Sequence, residues 1–130
     1  MKVLIDTCVW SSVLRHKKPD NELAVQFKNL LNDGRIAIIG LVRQELLSGI
    51  PAVSEFNRLR KVLTAFDDIP LRTEHFVKAA EFCNTCRSNG IQGSTIDFLI
   101  CAVAYLEDLI IFTVDKDFES YHRYLPIQLY

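Results

Sequence analysis

Ile110-Ile111-Phe112-Thr113-Val114-Asp115-Lys116-Asp117 carries the pattern from which the architecture follows. From Leu109 to Val114 the chain is apolar and rich in β-branched residues, interrupted only by Thr113, and it stops at an aspartate. A short continuous run of that kind is what a strand buried on both faces requires. The same grammar stands near the N-terminus, where Lys2-Val3-Leu4-Ile5 runs into Asp6-Thr7. Asp6-Thr7 offers an N-cap to a helix carrying Val9, Trp10, Val13 and Leu14, which the basic segment Arg15-His16-Lys17-Lys18-Pro19 ends. Ile36 to Ile39, stopped by Gly40, is a third buried strand. Ile69-Pro70-Leu71 is a short strand at best, and Ile127 to Leu129 forms a last one.

Helical periodicity fills the intervals. A helix from Asp20 carries Leu23, Phe27, Leu30 and Leu31 and closes at Asp33-Gly34. Leu41 to Ser48 forms another, ended by Gly49 and Pro51. Val53, Phe56, Leu59, Val62, Leu63 and Phe66 mark the next, and Phe76, Ala79, Ala80 and Cys83 a further one, capped by Asn89-Gly90. Ser94 and Thr95 open a helix containing Ile96, Leu99, Ile100, Val103 and Leu106, while Asp117 to Tyr121 reads as a short turn. Strands alternating with helices predict a parallel sheet covered on both faces. With 130 residues, no repeat and no Pro/Gly-rich linker, residues 1–130 are expected to form a single domain.

Hydrophobic residues make up 49% of the chain and charged residues 24%, the balance of a globular protein. No stretch approaches the roughly 20 apolar residues that cross a bilayer. The initial apolar run stops at Asp6, too early for a signal peptide, so a cytoplasmic location is expected. The net charge of −1 gives no overall basic field to attract nucleic acid, so such a partner would need local charge complementarity. Cys83 and Cys86 form a C-x-x-C, but no second ligand pair exists to complete a zinc site, and the motif falls inside an apolar helical pattern. Half-buried thiols are the expected reading.

The acids are more informative. In open parallel sheets, ligands bind beyond the carboxyl ends of the strands. If the strands ending at Asp6 and Asp115 are neighbours, the two carboxylates meet at one edge, although each alone would serve as a cap or turn former. Asp97 lies in the apolar string Ile96-Asp97-Phe98-Leu99-Ile100; a first-turn acid favours the helix dipole, yet that explains poorly an acid so hemmed in. Glu45 lies in a short helix directly after a strand, with Leu46 and Leu47 beside it. Crowded carboxylates repel, and a hard divalent cation, Mg²⁺ or Mn²⁺, relieves the repulsion and prefers such ligands. It also suits metal-assisted phosphodiester hydrolysis. Thr7 and Thr113 are placed to contribute a hydroxyl or to fix a carboxylate, whereas His16, His75 and His122 read as solvated surface residues.

The ordered strings I-D-T-C-V-W, V-R-Q-E-L-L-S-G, D-F-L-I-C-A-V-A and F-T-V-D-K-D-F resemble the PIN domain over essentially the whole chain, and the length resembles that of VapC-like toxins of bacterial toxin–antitoxin systems. The resemblance implies an α/β/α sandwich around a central, mostly parallel five-stranded sheet, and Mg²⁺- or Mn²⁺-dependent endoribonuclease activity. It implies an acidic site of Asp6, Glu45, Asp97 and Asp115, with Asp6 and Asp97 the most direct metal ligands and Asp117 auxiliary. It also implies a homodimer and a cognate antitoxin that inserts a basic side chain among the acids. Cys8 departs from the family, in which Asn is frequent at that position. Arg15, Lys17, Lys18, Arg43 and Lys116 flank the site elements in sequence and could meet RNA phosphates.

Two other classes remain open at this level. A phosphotransfer domain uses acids on a similar sheet, but a receiver needs an acidic pair after its first strand, and a dehalogenase-like phosphatase needs D-x-D where this chain has Asp6-Thr7-Cys8. A non-enzymatic interaction protein could keep the fold and its metal site and use Trp10, Phe56 and Phe66 as an apolar interface, although all three suit core positions better.

Overall fold

β1 (Val3–Ile5) is the middle strand of a parallel sheet, and each of its three side chains is fully buried. β2 (Ile36–Ala37) pairs with one edge of it, Val3 opposite Ile36, and β3 (Ile110–Phe112) pairs with the other, Val3 opposite Ile110 and Ile5 opposite Phe112. The structure is a computed structural model and describes residues 1–15 and 21–130, with Arg15 and Asn21 described in backbone only. The expected helix end at His16–Pro19 and helix start at Asp20 lie outside the described residues.

Single parallel bridges extend both edges of the sheet: Ile38 pairs with Asp68 beyond β2, and Ile111 with Leu129 beyond β3. Five chain segments thus lie side by side, but only the central three form strands. The segment after Asp68 is cut short by Pro70, which has no N–H to give a ladder. At the other edge the Ile111 N–H donates to the Gln128 carbonyl and the Tyr130 N–H donates to the Ile111 carbonyl.

Seven helices are described: α1 (Thr7–Arg15), α2 (Asn21–Asn32), α3 (Gly40–Leu47), α4 (Val53–Leu63), α5 (Thr73–Ser88), α6 (Thr95–Leu106) and α7 (Asp117–His122). The core is built around α6, in which every residue from Phe98 to Ala104 is buried, and which packs on α5 and β3. On the N-terminal side Trp10 sits between Phe27 and Phe66, with ring centroids 5.2 and 5.1 Å away. Trp10 is fully buried and Phe66 half-buried, so neither supplies an exposed apolar interface. Cys83 is half-buried and Cys86 buried on α5, and all four cysteines are free. Among the described residues no helix is long and apolar enough to cross a membrane.

Two expectations are corrected. Asp117 to Tyr121 is a helix rather than a turn, because Phe118 and Tyr121 lie three residues apart on one face and both are buried, with ring centroids 5.1 Å apart. His75 is not a surface residue: it is fully buried at the start of α5. Its Nδ1 accepts the Arg72 backbone N–H at 2.9 Å, so Nε2 carries the proton and donates to Glu107 Oε1 at 2.8 Å, tying α5 to the end of α6. Only a neutral ring of this tautomer satisfies both partners, which is how a polar side chain is accommodated there. His122, by contrast, is exposed.

His75→Ala should therefore lower stability by about 2–4 kcal/mol through the lost bonds and the cavity. His122→Ala should change it by less than about 0.5 kcal/mol. Urea denaturation of the two variants checks the contrast.

Candidate metal centre

Parallel pairing brings the ends of β1 and β3 together. The Asp6 N–H donates to the Phe112 carbonyl at 2.9 Å, so the chain leaves both strands in register and delivers Asp6 and Thr113 to the same edge. The Thr113 hydroxyl donates to Asp6 Oδ2 at 2.9 Å, and its oxygen accepts the Asp115 N–H at 3.0 Å. Asp115 Oδ1 accepts the Asp117 N–H at 2.9 Å, which starts α7. Asp6 Oδ1 takes the Thr7 N–H at 2.8 Å at the start of α1, while the Cys8 thiol donates to Asp6 Oδ2 at 3.3 Å. Asp6 is 6% exposed, and all of these donors come from its own helix and the neighbouring strand end.

Asp97 enters from the first turn of α6. Ser94 caps that helix by accepting the Asp97 N–H at 3.1 Å, and the Tyr121 hydroxyl donates to Asp97 Oδ2 at 2.7 Å. Asp97, Asp115 and Asp117 each present a carboxylate oxygen within 4.8 Å of the other two. This trio differs from the expected set. Asp117, expected to be auxiliary, belongs to it, while Asp6 and Glu45 stand alongside.

Electrostatics ties the outer two to the trio. Burial pushes the Asp97 carboxyl above the ordinary carboxylate range, and the charges of Asp6 and Asp115 push it further, against the downward pull of the Tyr121 and Ser94 hydrogen bonds. Glu45, on the exposed side of α3, is also raised, by partial burial and then by the charges of Asp6 and Asp97. The Thr7 hydroxyl draws Glu45 slightly downward, yet Thr7 Oγ1 is buried and falls short of a hydrogen bond with any partner. Among the described residues no lysine or arginine forms an ion pair with Asp6, Glu45, Asp97, Asp115 or Asp117. An all-carboxylate cluster with a spare hydroxyl and no protein cation has the donor chemistry of a hard divalent metal, so the residues present fit Mg²⁺ or Mn²⁺.

The basic residues fare differently. Arg43 does not face the site as a free cation: its guanidinium donates to Asp68 Oδ1 and to the carbonyls of Leu63 and Phe66, fastening α3 to the loop after α4. Lys116 is exposed between Asp115 and Asp117, while the Arg15 side chain, Lys17 and Lys18 lie outside the described residues. Ser94 caps α6 as its place before Thr95 predicts, whereas nothing in the sequence reading points to Tyr121. Had Asp117–Tyr121 been read as helical, Tyr121 would have stood one turn beyond Asp117, facing the same acids. A depression of about 430 Å³ between α5 and α6 is lined by apolar residues including Phe76, Ala79, Ile96 and Leu99, and holds none of the carboxylates.

Solved structures share this architecture. FitAcB from Neisseria gonorrhoeae superposes with a TM-score of 0.80 at 20% identity, covering 98% of this chain and 96% of that one. VapBC2 from Rickettsia felis, bound to a DNA fragment from its promoter, gives 0.79 at 18% identity, covering 100% and 98%. A toxin–antitoxin complex from Klebsiella pneumoniae gives 0.69 at 19% identity, covering 88% of each chain. At these identities the likeness establishes the fold. No curated protein sequence matches this one. The PIN domain, however, matches residues 3–124, nearly the whole chain, and the protein belongs to the PIN-domain family.

Proposed function

We propose that this protein is a Mg²⁺- or Mn²⁺-dependent endoribonuclease and the toxin of a toxin–antitoxin module. The observation that carries the reading is the meeting of Asp97, Asp115 and Asp117 beside Asp6, with no ion pair from a lysine or arginine among the described residues. Membership in the PIN-domain family supports nuclease chemistry. The similar complexes from Klebsiella pneumoniae and Rickettsia felis support an antitoxin partner. RNA as substrate and a homodimer are part of the same proposal, as is a basic antitoxin side chain entering the acidic pocket.

In this reading Asp97, Asp115 and Asp117 hold the cation, with Asp6 completing the set. When bound, the metal polarises the phosphoryl group and acidifies a water ligand. Thr113 keeps the Asp6 and Asp115 ends of the two strands in register, and Tyr121 fixes one oxygen of Asp97. Glu45, exposed at the rim beside Asp6 and Asp97, is the side chain placed to accept a proton from an attacking water. Thr7 offers its unbonded hydroxyl to the same region.

Expression of the wild-type chain in bacterial cells should arrest growth, and the purified protein should cut RNA only with Mg²⁺ or Mn²⁺. Asp6→Asn and Asp97→Asn should lose both properties by about a hundredfold or more. Equal toxicity of all three chains, or none from any with no cleavage, would overturn the proposal. Metal binding without cleavage would instead favour a PIN-fold interaction protein.

The raised carboxyl pKa values give a second expectation. A carboxyl whose folded pKa lies above its unfolded value favours its neutral form in the fold. Its contribution to stability is thus present below the unfolded value, near 4, and lost as pH rises through the folded one. In EDTA, Asp97→Asn should therefore melt above wild type at pH 7, with the advantage vanishing near pH 4. Adding Mn²⁺ at pH 7 should raise the wild-type Tm and leave that of Asp97→Asn nearly unmoved. Melting curves with and without metal across this pH range check both signs.

A further inference from the structure

The Tyr121–Asp97 bond has a requirement elsewhere in the chain. Tyr121 is fully buried, and its hydroxyl donates to Asp97 Oδ2. The space beside that hydroxyl exists because residue 93, in the loop entering α6, is glycine. A Cβ built at Gly93 would overlap the Tyr121 hydroxyl, and would lie 2.8 Å from Tyr121 Cζ and 2.9 Å from Phe98 Cζ. Neither ring can step aside, since Phe98 packs on Tyr121 with centroids 5.1 Å apart, Phe118 packs on Tyr121 at 5.1 Å, and all three rings are buried. Gly93 carries no positive φ, so the demand for glycine here is one of space and not of backbone conformation.

We infer that Gly93 and Tyr121 together form a positioning device for the metal centre: the bare glycine admits the Tyr121 hydroxyl, which sets the Asp97 carboxylate relative to Asp117. The inference rests on the metal-centre reading above. Two of the three clustered acids stand on different helices, Asp97 on α6 and Asp117 on α7, and the helix that carries Asp117 carries Tyr121 one turn later. The hydroxyl therefore spans the two helices at the point where their carboxylates meet. It also fixes the orientation of the Asp97 carboxylate. Hydrogen bonds from behind a carboxylate ligand typically set its orientation, and losing one costs about 10–100-fold in metal affinity.

The test uses Mn²⁺ alone as the probe, with its affinity measured by electron paramagnetic resonance of the free ion and stability by metal-free melting in EDTA. Tyr121→Phe retains the ring and should melt within a few degrees of wild type, yet bind Mn²⁺ about tenfold more weakly or worse. Gly93→Ala should weaken Mn²⁺ binding at least as much by displacing the hydroxyl, and it serves as the second variant if the first is poorly folded. Tyr124→Phe, at an exposed tyrosine on the same end of the chain, should leave affinity unchanged. Lowered melting temperatures with unchanged Mn²⁺ affinity would reduce the pair to a packing role and overturn the inference. Unchanged or tighter binding by Tyr121→Phe would do the same while leaving the metal-centre reading intact. Failure of the wild type to bind Mn²⁺ would overturn both.

Discussion

The Thr113 hydroxyl joins two parts of the sequence that the rest of the site depends on. It donates to Asp6, 107 positions away in the chain, and accepts the N–H of Asp115, so one oxygen atom fixes the exits of two parallel strands relative to each other. Parallel pairing alone aligns β1 and β3; it does not determine where the chain goes after the last ladder bond. The hydroxyl does. From it follow the turn at Asp115, the start of α7 through the Asp117 N–H, and the return of Tyr121 toward Asp97. A valine at position 113 would suit a buried strand equally well and would provide none of this.

The opposing constraint is charge. Five carboxylates stand close together, and among the described residues none is neutralised by a basic side chain. In the metal-free chain they are held by packing from below, chiefly the buried run Phe98–Ala104 of α6 and the rings of Phe118 and Tyr121. The chain satisfies the backs of these groups with uncharged donors: Thr113 and Cys8 for Asp6, Tyr121 for Asp97, and backbone N–H groups for Asp6 and Asp115. Such donors orient a carboxylate without cancelling its charge. The site thereby keeps its electrostatic demand for a partner from outside the chain.

Much of the architecture was legible because buried parallel strands and amphipathic helices write distinct patterns. Val3–Ile5 and Ile110–Phe112 could be placed from apolar continuity, and the aspartates that end them located one edge of the site. The outer segments were harder to read. A single bridge at Asp68 or Leu129 leaves no periodic trace, and Pro70 conceals the first of them. Where the sequence misled, the cause was a local pattern overruled by tertiary packing. His75 has charged neighbours along the chain but is enclosed by the meeting of α5 and the end of α6, which no neighbouring residue announces. Arg43 adjoins Glu45 in sequence, yet its fork is taken by Asp68 and two carbonyls. Asp117–Tyr121 is too short to show a helical period, and with that helix Tyr121 was missed.

The chain contains one tryptophan, and its position gives the molecule a built-in optical reporter. Trp10 is fully buried between Phe27 and Phe66, its indole N–H has no partner among the described residues, and its backbone N–H donates to the carbonyl of Asp6. An indole in so dry a setting emits at short wavelength, and one four residues from Asp6 feels shifts of the first turn of α1. Movement at the strand ends and loosening of the N-terminal half of the core can thus be followed in the unlabelled protein from a single fluorophore, with no second tryptophan to blur the signal.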